Sequence, residues 1–337
     1  MIASTPVARW TWGRSDEAAD ALVRCLRDLL IAYKVMAVHG LAAGEPAVRV
    51  SVAEAGTSNS RLFGEELTVP GAYEVAEAVE QLAARVRSGL RPGEVGSGDA
   101  SVDCAGVLLT GEGEVLQEGL FRLGASAFAD FVSVDLVTFS DAWMPYDLKG
   151  RPQPGISEAN APRLAAVLND LAVALDSETD PDDPTYFGRP TESGVGNFFG
   201  ADGAASDVWG SFEIPYRNRV FQHAPGFAEP GYKRSADGEV RYVPVHGDHG
   251  LLGYLWASDT ERAAGFEPRD DADEDGYKAG LLWLDRLRAA HDRGLTPSAA
   301  LTEASGLPDE AGAGHVDPMA EPRTADLTTL RELAAGG

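Results

Sequence analysis

Between Leu22 and Tyr33 the apolar residues Leu22, Cys25, Leu26, Leu29, Leu30 and Tyr33 recur every three to four positions, and Gly40 closes the segment. That spacing lines one face of an α-helix. Ser15 is placed to cap it, with Asp16 and Glu17 in a first turn that favours carboxylates. A short alternation follows at Val48, Val50 and Val52 and reads as a strand. A second helix is expected over 71–88, with Val75, Val79, Leu82 and Val86 on one face, and 89–100 reads as a glycine-rich loop. Residues 102–110 and 114–123 read as two strands joined by Gly111-Glu112-Gly113, a hairpin signal. A strand at 130–139 puts Val132, Val134 and Leu136 on one face and Phe131, Ser133, Asp135, Val137 and Phe139 on the other. A third helix carries Leu164, Val167, Leu168, Leu171 and Leu175; Pro162 fits a first turn, which sets its start near Asn160 within 158–176.

This order predicts an α+β fold, with N-terminal helices on a largely antiparallel sheet in a domain covering 1–176. The periodicity then stops. Residues 177–206 are rich in proline and glycine and are expected to be a linker or a long loop. Short strands are expected at 208–214, 220–221, 240–245 and 251–256, with turns at Pro225-Gly226, Pro230-Gly231 and Asp237-Gly238. Helices return at 277–293 and at 296–304, the second with Thr296 as cap and Pro297 in the first position. The second half therefore reads as a smaller β-rich domain with C-terminal helices over 207–305. A flexible acidic tail, 306–337, holds a short helix at 327–333.

Charge changes the picture of possible partners. The chain has 53 acidic and 28 basic residues, a net charge of −25, and both halves share the excess. Such a molecule repels nucleic acid and anionic membrane and attracts basic proteins. Only Lys34, Lys149, Lys233 and Lys278 among the basic residues are lysine, a composition that suits a high-GC bacterial genome, where acidic proteins are common. No apolar run approaches the ~18 residues of a membrane span. The first residues lack a secretory h-region, so a cytoplasmic location is expected. Cys25 and Cys104 form no CxxC pair and read as buried, reduced thiols.

Candidate chemistry is sparse. His246, Asp248 and His249 stand within four residues at a strand end; the segment reads first as a polar turn flanked by Gly247 and Gly250, and its spacing can also hold zinc or iron. Asp271-Ala272-Asp273-Glu274-Asp275-Gly276 matches the opening of a calcium loop, but the twelfth position is Leu282 instead of a bidentate glutamate. Ser258-Asp259 can be drawn into a triad with His246 or His249, although no spacing demands it. No phosphate-binding glycine loop is complete, and no cofactor is implied. An aromatic cluster (Trp209, Phe212, Tyr216, Phe221, Phe227, Tyr232, Tyr242, Tyr254, Trp256) reads either as the core of a small β-domain or as a binding surface ringed by acids. On the second reading Trp209, Tyr216, Arg217, Arg219, Tyr254 and Trp256 meet a partner.

Three stretches carry a resemblance: 140–147 (SDAWMPYD), 255–258 with 263–266 (LWAS, AAGF) and 294–297 (GLTP). In these the chain resembles immunity-type proteins of bacterial toxin–immunity and specialised-secretion loci. The resemblance implies a binding role rather than an enzymatic one and transfers no catalytic residue. The expectation is therefore a protein that binds and neutralises a basic partner such as a toxin, with no nucleic acid or membrane involved. The alternatives are a metal-dependent hydrolase using His246, Asp248 and His249, and an adaptor of a secretion locus.

Overall fold

The alternation that the chain carries in its strands becomes, in a computed structural model, one rule for a whole sheet: small or branched apolar residues face helices, and polar residues face away. The structure describes residues 1–336 apart from 17–19, 57–59, 70–72, 224–229, 308–309 and 318. The described chain forms two compact units, Met1–Val208 and Trp209–Gly337. Glu17, the expected start of the second helix at residue 71, the Pro225-Gly226 turn and Phe227 lie outside the described residues.

The first unit holds β1 (Ala8–Ser15), α1 (Ala21–Val38), β2 (Ala47–Glu54), β3 (Arg61–Thr68), α2 (Val75–Gly89), β4 (Val95–Thr110), β5 (Gly113–Phe128), β6 (Phe131–Thr138), α3 (Pro154–Ala174), β7 (Asp180–Pro181), β8 (Arg189–Thr191) and β9 (Gly194–Gly196). Seven strands form one sheet in the order β3-β2-β4-β5-β6-β1-β7, and every pairing is antiparallel. Trp10, Trp12, Val48, Val50, Val52, Val102, Leu123 and Leu136 are buried on the helix side, together with Leu26, Leu29 and Leu30 of α1. The α+β class expected from the sequence is what the chain forms.

Several boundaries move, each for a physical reason. Ser15 does not cap α1, because β1 runs through it; Asp20 is the cap and accepts from the backbone N–H of Leu22 and Val23 at 3.0 and 3.2 Å. The loop expected at 89–100 already contains the start of β4. Helix α3 starts at Pro154, not near Asn160, and continues through Pro162. A proline at the first position sets the helical φ in advance, and Asn160 is thereby free to reach sideways. The segment 177–206, expected to be a linker or long loop, belongs to the first unit. There β7 pairs with β1, Thr185 Oγ1 donates to Val7 O at 2.8 Å, and Trp10 Nε1 donates to Thr191 O at 2.7 Å.

The second unit holds α4 (Ile214–His223), β10 (Glu239–Gly247), β11 (Gly250–Ser258), β12 (Ala263–Pro268), α5 (Asp273–Asp292), α6 (Pro297–Ala304), β13 (His315–Val316), β14 (Arg323–Asp326) and α7 (Leu327–Ala334). Its sheet runs β12-β11-β10-β13, with β14 also on β10. One face carries Val243, Val245, Leu255 and Phe266 against Trp283, Leu284 and Leu287 of α5 and Leu301 of α6. The other carries Val240, Tyr242, Tyr254 and Trp256 against Leu327, Leu330 and Ala334 of α7. Coverage of both faces explains the unbroken apolar run in β11.

The strands expected at 208–214 and 220–221 are a π-helical turn, Trp209–Glu213, and α4. Their buried residues, Trp209, Glu213, Ile214, Asn218 and Phe221, follow a helical period. High β-propensity in this run yields to the packing of that one face. The expected tail at 306–337 contributes β13, β14 and α7 to the second unit. Among the described residues no helix is long and apolar enough to cross a membrane.

Candidate functional site

The sheet of the first unit has helices on one side only, and its other side is polar. Cross-strand register places Glu66, Arg49, Ser101, Gly124, Asp135 and Thr11 in one row across β3, β2, β4, β5, β6 and β1. The next row runs through Gly64, Ser51, Asp99, Ser126, Ser133 and Gly13. Serines and glycines at the centre, with long charged side chains around them, leave a trough of about 520 Å³. Gly124 makes its floor: a Cβ there would lie 2.5 Å from Asp135 Oδ1.

Two of the three arginines that line this trough, Arg49 and Arg122, are answered locally, and Arg61 is the third. Arg122 Nε donates to Asp103 Oδ1 at 2.9 Å, Arg49 donates to the other oxygen of Asp103, and Arg49 also lies 4.0 Å from Glu66. Burial opposes ionisation of Asp103, but the two arginine hydrogen bonds outweigh it and hold the carboxyl below its ordinary range. Asp99 accepts from Ser126 Oγ at 2.6 Å. Asp135 is different. It is half-buried, its ion pair with Arg9 is long at 3.7 Å, and burial, reinforced by Asp182, pushes its carboxyl above the ordinary range despite Arg9 and Arg122. A cation brought to Asp135 would gain a carboxylate whose charge is poorly compensated.

The residues singled out in the sequence are placed elsewhere. Trp209, Tyr254 and Trp256 are buried and cannot serve as partner anchors. Trp209 Nε1 donates to Asp273 Oδ1 at 2.8 Å, and Trp256 Nε1 to Glu267 Oε1 at 3.0 Å. Tyr216 stacks on Phe212 at 5.7 Å, Arg217 pairs with Glu213 at 2.6 Å and lies over the Trp209 ring, and Arg219 is exposed. The core reading of the aromatic cluster thus holds for Trp209, Tyr254 and Trp256.

Asp248 and His249 form the two-residue turn between β10 and β11, flanked by Gly247 and Gly250, while His246 faces His315 across β13. Asp248 and His249 border a hollow of about 370 Å³ that Lys278 shares with Asp275 and Glu310. Among the described residues no three histidine, cysteine, aspartate or glutamate side chains are grouped to hold a metal ion. The calcium-like segment is helical from Asp273 onward, and Asp271 is paired with Arg269, so no ligand loop forms. Ser258 closes β11 at the end of the hairpin remote from His246, and Asp259 bonds Ser298 at the start of α6. No triad is assembled.

Reasoning from the sequence misses the open sheet face, although a signal for it is present. Ser133 and Asp135 share the second face of β6, and Asp99, Ser101 and Asp103 repeat that period in β4. Comparisons with protein-family models, curated proteins and solved structures yield no match.

Proposed function

We propose that this chain is a protein-binding protein of the immunity type, cytoplasmic and bacterial, that takes a basic protein such as a toxin on the open face of its first sheet. The observation that carries this reading is the trough around Asp135, a half-buried carboxyl in a hollow floored by glycine and serine, where Arg49 and Arg122 already have an acidic partner in Asp103 and Arg61 lines the far side. An incoming guanidinium or ammonium meets an acceptor there without first displacing a strong ion pair. The net charge of −25 adds long-range attraction and a fast, salt-sensitive encounter. Ser258 stands apart from His246 and His249, so the serine-triad arrangement gains no support.

The test is retention of a basic protein on the immobilised full chain at low and high salt, repeated with Asp99→Asn and Asp135→Asn together. Retention that falls with salt and falls further in the double variant is expected. Retention indifferent to both removes the proposal.

A further inference from the structure

We infer that the open face also carries an aromatic seat, Phe128 and Phe131, so that the basic partner binds through a segment that sets a large apolar side chain beside its arginines or lysines. This rests on the proposed function and names the chemistry of its partner.

Phe128 and Phe131 face each other as the last pair of the β5–β6 hairpin and remain 67% and 49% exposed. They lie on the polar side of the sheet, two residues beyond Ser126 and Ser133 and four beyond Gly124 and Asp135. Paired large aromatics on a solvated sheet face mark an interaction site more often than a scattered apolar residue does. At 3.3–3.4 Å per residue, Asp135 is on the order of 13 Å from the aromatic pair along the strand. One partner segment spans that distance easily.

The turn carrying the pair is held at a conformational cost. Ala129 has φ +53°, at the first central position of a two-residue turn where glycine is the usual occupant. Arg24, a buried arginine of α1, donates to both Ala129 O and Asp16 O and fixes the turn from below. Gly13 of β1 lets the Phe131 ring lie flat, since a Cβ there would be 2.7 Å from Phe131 Cζ. Strain retained by surrounding structure at an exposed point is what a preorganised recognition element requires.

Charge identifies the occupant. Beyond Phe131 lies a second hollow, about 510 Å³, whose lining holds Asp176, Glu178 and Asp180 and no lysine or arginine. The seat is thus flanked by acids on both sides: Asp135 and Asp99 in the trough, and these three in the hollow. An apolar side chain with cations on either side is the complementary surface.

The test uses the full chain and two synthetic peptides, one alternating leucine with arginine and one with every leucine replaced by serine. The leucine peptide is expected to bind about tenfold or more tightly than the serine peptide, in line with burial of one large apolar side chain. Phe128→Ser and Phe131→Ser should each shrink that difference while leaving the serine peptide's affinity unchanged. Should Phe131→Ser fail to give the parental circular dichroism, Phe128→Ser, at the more exposed site, decides alone. Equal affinity of the two peptides overturns the aromatic seat and leaves the acidic reading standing, whereas no salt-dependent binding of either peptide overturns both. A dimer of the chain that Phe131→Ser disperses assigns the seat to a second copy and also overturns the inference.

Discussion

At the scale of single residues, the most consequential group outside the open face is Glu267 in β12. Its side chain is 2% exposed, Oε1 accepts from Trp256 Nε1, and Oε2 lies 3.5 Å from Arg331 Nε without a hydrogen bond. Burial dominates over the attraction of Arg331 and pushes the carboxyl from 4.5 to about 7. A folded value above the unfolded one means that the stabilising proton is fully held below pH 4.5 and is lost as the pH rises through about 7. The unit that holds Glu267 should therefore be less stable at pH 8 than at pH 5, by on the order of 3 kcal/mol if the whole shift is expressed, and should melt at a lower temperature. Glu267→Gln should remove most of that difference in paired calorimetric scans; an unchanged pH dependence would show that another group governs it. In the proposed binding, Asp135 would act by the opposite sense of the same chemistry. Its raised carboxyl must ionise to hold a cation, so a basic peptide should bind less tightly as the pH falls through that raised value, and Asp135→Asn should flatten the curve.

At the scale of elements, β4 shows why part of the fold was legible and part was not. Its alternation and the Gly111–Gly113 turn announce the β4–β5 hairpin, and the 3–4 spacing of Leu22–Tyr33 announces α1. The repeat Ala8, Trp10, Trp12 marks β1 too, but alternation over so few residues, with no turn signal beside it, does not stand out. The trough was half legible, because a solvated sheet face shows its polar period in each strand, but only register brings Asp99, Asp135 and Arg122 together. What no local pattern reveals is the edge of β4 beyond Ser101, where pairing with β2 stops. That edge is closed by backbone from the end of α1 and by α3. Val107 N donates to Gly40 O, Arg163 donates to Val107 O at 2.7 Å, and Asn160 Nδ2 donates to Leu109 O at 2.8 Å. Asn160 Oδ1 in turn accepts from Leu109 N at 3.0 Å. A single amide thus replaces a neighbouring strand, which protects an edge that would otherwise invite pairing. Asn160→Ala should cost about 1–3 kcal/mol by leaving the partly buried backbone N–H and C=O of Leu109 unanswered. In hydrogen exchange the Leu109 amide should lose protection selectively; unchanged protection there would mean that the edge is held by other contacts.

At the scale of the whole molecule, the division of the chain decides which fragment can be used to study binding. A boundary near residue 176, suggested by the change in composition, would cut through the first unit. Past that point the chain supplies β7, the Thr179 hydroxyl that accepts from Trp12 Nε1 at 3.1 Å, and the Thr191 carbonyl that accepts from Trp10 Nε1. It also supplies Phe187, which is buried, and Asn197, whose amide bonds Tyr146 through both backbone groups. Truncation at 176 strands two indole N–H donors in a core that has lost part of its cover, each at a cost of about 1–3 kcal/mol. The sum rivals the whole stability of an ordinary domain once the lost apolar contacts are included. A fragment of 1–208 should unfold in one cooperative denaturant transition and keep the open face, because Glu178 and Asp180, which line the acidic hollow with Asp176, lie in the segment it retains. A fragment of 1–176 should show no sharp transition and should bind the leucine–arginine peptide no better than its serine control. Cooperative unfolding of both fragments with the same midpoint would mean that residues 177–208 add nothing to the stability of the unit. In that event the shorter fragment, folded but lacking Glu178 and Asp180, would measure directly how much those two acids contribute to holding the peptide's cations beside Phe131.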